Sequence, residues 1–149
     1  MGHIERFNPA TDILRSNVTL PRFVEVHRLG SFSARSLDID VVLDLMIHDI
    51  DIVQSIVGRP IESIDAVGTP VFSGAVDIAN ARLRFEGGCV ADVTASRVSL
   101  KTERRMRVFR GDAYLSLDLQ HRILTVIRKR SEVPTASELP VTIDERSFE

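Results

Sequence analysis

Residues 41–57 read VVLDLMIHDIDIVQSIV, an apolar run interrupted by three aspartates and a histidine. Charged side chains are rarely buried without a partner or a task, so their placement decides whether these four are solvated decoration or chemistry. At about 100° per residue, Asp44, His48, Asp51 and Ser55 share one narrow stripe of a helix. Several readings fit such a stripe. An acidic residue in the first turn favours the positive end of the helix dipole, and Asp44 with His48 one turn on is a local contact. The same two residues could ligate a metal, although a closed site needs further ligands and His3, His27 and His121 show no ligand spacing. Acid/base chemistry is the third reading, since histidine titrates near neutral pH and a neighbouring carboxylate fixes its tautomer and raises its basicity.

The elements that must hold the stripe are legible around it. Leu43, Ile47, Ile50 and Val57 flank it on one side and Leu45, Ile52 and Ile56 on the other, so the helix is wanted by apolar neighbours on both flanks and the stripe should line a slot. Asp38 or Asp40 is available as a cap, and Gly58 followed by Pro60 is a stop signal. Upstream, HIERF has the pattern of a strand, Asn8-Pro9 of a turn, residues 10–16 of a short helix and RFVEVHR of another strand; a Ser-rich loop, residues 29–40, leads into the helix.

Beyond Gly58 the pattern changes. IESIDAVGTPV, IANARLRF, CVADVTASRV, RRMRVFR, AYLSLDL and ILTVIRK have strand length and are separated by turn-prone pieces, which predicts an antiparallel meander. Alternation assigns Ala79, Ala81, Leu83, Phe85, Ala91, Val93, Ala95, Met106 and Val108 to an apolar face. Asn80, Arg82, Arg84, Asp92, Thr94, Ser96, Arg105 and Arg107 fall on a polar one. The expected fold is α+β: an open, mostly antiparallel sheet of about six or seven strands with helices on one face. The open face is then either wetted or used to pair with a second subunit. One domain over residues 1–130 is expected, with residues 131–149 a linker-like tail holding at most a short final strand.

Composition narrows the class. A chain of 149 residues with 44% hydrophobic content is long enough for one ordinary core. A net charge of −2 and the lack of a basic run interleaved with aromatics argue against nucleic acid. Neither a signal peptide nor an apolar stretch of about 18 residues is present, so no membrane partner is expected. The single cysteine, Cys89, excludes an internal disulfide and fits a soluble protein of a reducing compartment, the cytoplasm.

DLMIHDID resembles the Asp-x-x-x-His-x-x-Asp signature in the C-terminal domain of the Gfo/Idh/MocA family of NAD(P)-dependent sugar oxidoreductases, and GHIERFNPA resembles the segment leaving that family's Rossmann domain. The phrases VHRLGSFSARSLDIDVVLDLMIHDID and DIANARLRFEGGCVADVTASRVS follow in the family's order, so the resemblance covers nearly the whole chain. It implies a two-domain enzyme in which His48 matches a general acid/base on the reacting hydroxyl and Asp44 its carboxylate neighbour. By the same resemblance Asn8, Arg28 and Arg35 border the sugar site, Arg28 or Arg35 is suited to a diphosphate, and Asp49 and Asp51 serve the fold. GHIERFNPA and HRLG are most similar to members acting on C3 of UDP-N-acetylglucosamine.

The departures bear on what the chain does. None of the eight glycines forms G-x-G, and the Glu-Lys-Pro motif whose lysine the family pairs with this histidine is absent. The resemblance therefore implies the substrate-binding and oligomerisation half of a sugar or nucleotide-sugar oxidoreductase, an excised or naturally truncated domain inactive without a nucleotide-binding half. NAD or NADP belongs to the complete enzyme and no cofactor is expected on this chain alone. The expected partners are the sugar substrate and a second copy of the chain through the open sheet face. The alternative is a non-catalytic dimerising or sugar-binding module that has lost its Rossmann domain.

Overall fold

Strands that alternate small apolar with charged residues bury one face and wet the other, and this alternation organises the middle of the structure. The computed structural model describes residues 7–35, 37–130 and 141–147. Its elements are α1 (Pro9–Asn17), β1 (Phe23–Leu29), a π-helical turn (Val42–Met46) running into α2 (Ile47–Val57), then β2 (Ile61–Thr69), β3 (Ile78–Phe85), β4 (Val90–Ser96), β5 (Glu103–Phe109), β6 (Ala113–Asp118), β7 (Ile123–Lys129) and β8 (Val141–Ser147). All six strands expected after Gly58 are present, and the fold is the α+β architecture read from the sequence. The strand expected at HIERF lies, Phe7 apart, outside the described residues.

Among the described residues one eight-stranded sheet has the order β2-β3-β4-β1-β5-β6-β7-β8. Two features depart from a simple meander. β1 inserts between β4 and β5, parallel to β4 and antiparallel to β5, and thereby splits the run of hairpins in two. The eighth strand comes from the tail, where Val141–Ser147 pairs antiparallel with β7.

The apolar face is the one expected: Ala79, Ala81, Leu83, Phe85, Ala91, Val93, Ala95, Met106 and Val108 are all buried, joined by Val24 and Val26 of the inserted strand. Helices supply the other side of the core through Leu14 of α1 and Met46, Ile52, Val53 and Ile56 of the helical segment. α1 opens with Pro9, whose missing N–H costs nothing at a first helical position, and carries Asp12 in its first turn and Arg15 in its last, as the helix dipole favours. α2 ends on Gly58 at φ 63°, a left-handed cap whose N–H bonds to the carbonyl of Gln54. Among the described residues no helix is long and apolar enough to cross a membrane.

On the open face several charges pair within the chain. Arg82 forks onto Asp92 at 3.0 and 2.7 Å, Arg107 reaches Glu25 at 2.9 Å and Arg105 lies 3.6 Å from Asp118. The Arg82 guanidinium holds the Asp92 carboxyl below the usual carboxylate range. Beside these pairs runs an apolar row in cross-strand register: Val90, Phe23, Phe109, Tyr114, Ile127 and Ile143. Phe109 stacks on Tyr114 with ring centroids 4.9 Å apart.

Candidate functional site

The helical segment that carries the stripe is not a uniform α-helix. Asp40 caps its start through a hydrogen bond from the Leu43 N–H to Oδ1 at 3.0 Å, and the first turn, Val42–Met46, is π-helical before α geometry resumes at Ile47. A π turn holds more residues than an α turn, so it delays the phase of everything that follows. The consequence shows in the burial. The deepest face is Met46, Asp49, Ile52, Val53 and Ile56, whereas Leu43 is 55% exposed. Asp44, His48, Asp51 and Ser55 are all half-buried, strung along the border between core and surface.

Asp49 in that core face is held by a counter-charge. Arg28 of β1 donates from Nε to Oδ2 at 2.8 Å and from Nη2 to Oδ1 at 2.7 Å, and both residues are almost fully buried. A bidentate guanidinium–carboxylate fork is the geometry that makes burial of two charges tolerable. It ties the residue directly after His48 to the middle of the sheet. At the other end of the stripe, Arg15 of α1 donates to Ser55 Oγ at 3.1 Å, and Ser55 in turn bonds to the carbonyl of Ile52.

The remaining residues singled out from the sequence are spread around this helix. Asn8 precedes α1, and its carbonyl accepts the Thr11 N–H at 2.8 Å. Arg35 is exposed in the loop before the helix, its backbone N–H bonded to Ser33 Oγ. Arg28, read as a candidate diphosphate partner, has its fork engaged by Asp49 inside the protein. An apolar cleft of about 410 Å³ lies between Val42, Met46 and Ile50 on one wall and Ile61, Ile64 and Leu83 of the sheet on the other. Neither Asp44 nor His48 lines it, so this cleft is not the slot expected for the stripe. Among the described residues no group of three or more His, Cys, Asp or Glu side chains is placed to hold a metal ion.

A second polar centre escaped the sequence reading. Asp77, fully buried, accepts the backbone N–H groups of Val71, Phe72 and Ser73 on one carboxylate oxygen at 2.8, 2.8 and 2.9 Å. Its other oxygen accepts Ser73 Oγ at 2.6 Å and Arg97 Nε at 2.8 Å. Burial by itself pushes the carboxyl up, but the Ser73 hydroxyl, the Val71 N–H, Arg97 and the Ser73 N–H outweigh it and hold it well below the usual carboxylate range. Arg97 also donates to the carbonyl of Ile39 at 2.6 Å, and the Val41 N–H bonds to the carbonyl of Val76 at 2.9 Å. The approach to the helix is thus fastened to the loop between β2 and β3. The only sequence signal for this was an aspartate closing the Ser-Gly turn SGAVD, a common way for a carboxylate to gather turn N–H groups.

Comparison with known proteins agrees with this architecture. The family model described as GFO/IDH/MocA C-terminal domain matches residues 13–115. A UDP-N-acetylglucosamine 3-dehydrogenase of Acidithiobacillus ferrooxidans is 40% identical over 130 residues, covering 87% of this chain and 42% of that protein. The crystallised UDP-N-acetylglucosamine 3-dehydrogenase GnnA of that organism superposes with a TM-score of 0.87 at 37% identity, covering 98% of this chain and 47% of that one. The WlbA dehydrogenase of Bordetella pertussis, solved in complex with NADH and UDP-GlcNAcA, shares the fold at a TM-score of 0.69 and 15% identity, over 78% of this chain and 42% of that one. This chain therefore spans less than half the length of these relatives.

Proposed function

Since the chain belongs to the GFO/IDH/MocA family through its C-terminal domain, we propose that it is the substrate-binding half of a nucleotide-sugar dehydrogenase, with UDP-N-acetylglucosamine oxidised at C3 as the reaction of the complete enzyme. The observation that carries this reading is the placement of Asp44 and His48 at the border of core and surface on a helix anchored from beneath by the Arg28–Asp49 fork. It is joined by 40% identity to a UDP-N-acetylglucosamine 3-dehydrogenase.

Oxidation of a secondary alcohol to a ketone removes a hydride from carbon and a proton from oxygen. A nicotinamide supplies the hydride acceptor in the complete enzyme. The residues here do not fit that cofactor: no G-x-G turn exists, and the N-terminal end of the longest helical segment carries Asp40 and Asp44, which repel a diphosphate. The chain's own task is the proton. His48 accepts it from the reacting hydroxyl, and Asp44 stabilises the imidazolium that forms and orients the ring. Arg28 acts as a positioning residue, because its fork is occupied by Asp49, and exposed Arg35 is the residue left to meet the substrate diphosphate. Asn8, at the head of α1, borders the sugar.

A second copy of the chain on the open sheet face completes the proposal, driven by the apolar row from Val90 to Ile143 rather than by charges that are already paired. Cys89 is a buried free thiol whose pKa burial pushes up, in keeping with a cytoplasmic setting.

Titration calorimetry tests the reading. UDP-N-acetylglucosamine should bind the chain and lose affinity on Arg35→Ala, whereas NADH should give no binding heat. Micromolar NADH binding at one site per chain, or no heat with the nucleotide sugar, would refute it.

A further inference from the structure

Two phenylalanines stand in solvent at the approach to the helix. Phe32, in the loop after β1, is 43% exposed, and Phe72, in the loop between β2 and β3, is 68% exposed. They meet edge to face, with ring centroids 5.4 Å apart and planes at 78°. Exposed rings on loops are ordinarily free to swing, but the backbone at Phe72 is fixed and the segment carrying Phe32 is fastened at Gly30 and Ile39. Asp77 gathers the N–H groups of Val71, Phe72 and Ser73, Arg97 joins Asp77 to the carbonyl of Ile39, and the Gly30 N–H is bonded to the carbonyl of Ser96 at 2.8 Å. A buried ionic centre thus fixes the backbone that carries Phe72, and the ring of Phe32 rests against that of Phe72.

We propose that Phe32 and Phe72 form a stacking platform for the nucleobase of the substrate, an assignment that rests on the nucleotide-sugar reading above. Three observations favour a base. The donors of residues 71–73 are consumed by Asp77, so the loop has no N–H groups there for an anion and offers only the ring faces. Phe32 is flanked in sequence by Ser31, Ser33, Ala34 and Arg35, small and polar neighbours that leave its ring accessible to a ligand. The order along the chain also repeats the order of a nucleoside diphosphate sugar: rings at Phe32 for the base, a cation at Arg35 for the diphosphate, Asp44 and His48 for the sugar. Three residues of chain span at most about 10 Å, which keeps Arg35 within reach of a diphosphate whose base lies on Phe32. A π-face accepts any base, so the platform contributes affinity and leaves the choice of sugar to the helix.

Binding of UDP and of N-acetylglucosamine 1-phosphate to the chain and its variants tests this. The second compound carries the sugar and a phosphate but no base. Phe72→Ala and Phe32→Ala should each weaken UDP by about 5- to 150-fold, the range for loss of one base–aromatic stack. Both should leave N-acetylglucosamine 1-phosphate within about twofold, and Phe72→Tyr, which keeps the ring, should restore UDP binding. Equal melting temperatures for the variants, expected of exposed side chains, show that the loops have kept their places. Unchanged UDP affinity in both alanine variants removes the platform while the substrate-half reading stands. Equal weakening of both compounds removes it too, as does a change in mass by light scattering with UDP affinity intact, which would give the rings to a protein contact. If the unaltered chain binds neither compound, the substrate-half reading fails and the platform with it.

Discussion

Arg28 grips Asp49 with both arms of its guanidinium, at 2.8 and 2.7 Å, and Asp49 directly follows His48 in the chain. The pair is therefore both a buried ion pair and the fastening of the turn that presents the candidate base. Removing one partner strips the other buried charge of its bidentate fork, at a cost of about 3–5 kcal/mol. Arg28→Ala and Asp49→Ala should each destabilise the chain on that scale in urea unfolding. The double variant Arg28→Met with Asp49→Leu should recover much of the loss, because two apolar side chains of similar volume need no solvation. Single-variant losses under about 1 kcal/mol would mean that the fork does not hold the helix.

In an enzyme carrying both halves, His48→Ala should reduce kcat by about 10² to 10⁴ with little change in KM, since a proton acceptor acts mainly in the transition state. Asp44→Asn should share part of that loss by misorienting the imidazole. Steady-state kinetics with the variants at matched folded fraction gives the answer. A His48→Ala protein that is unstable yet fully active in its folded fraction would make the histidine a packing residue.

Asp77 has a pKa held well below its unfolded value of about 3.9. Between the two values the unfolded chain binds more protons than the folded one, so stability rises with pH there and is level above it. The ionised clamp thus contributes fully at neutral pH and loses its contribution only as pH falls below about 4 toward the depressed value. Asp77→Asn should lower the urea midpoint at pH 7, and the gap from the unaltered protein should narrow at pH 3. A gap that does not depend on pH would place the effect in shape rather than in charge.

The open face makes a prediction of a different kind. Because Arg82–Asp92 and Arg107–Glu25 are satisfied within one chain, self-association should depend on the row through Phe23, Phe109 and Tyr114. Light scattering should give at least twice the chain mass, with weak dependence on salt, and Phe109→Asp should reduce it to one chain. A monomer at high concentration would leave the face to water.

Short-range physics made much of this protein legible without coordinates. Alternation in IANARLRF or ADVTAS can bury only one face, and Gly58 can end a helix because it adopts a left-handed backbone. What tertiary structure decided depends on residues distant in sequence. The insertion of β1 between β4 and β5 has no local signature, because strand order is set by how the whole sheet covers its helices. The π turn at Val42–Met46 changed the phase of the stripe by a backbone choice that no side-chain pattern encodes. Arg28 looked like a substrate ligand because an arginine near a sugar site ordinarily meets anions, and only the fold brought the carboxylate of Asp49, 21 positions away, within 2.8 Å. Asp77 and Arg97 carry no local sign of their pairing for the same reason: a buried ionic centre exists only once the loops that it fastens have met.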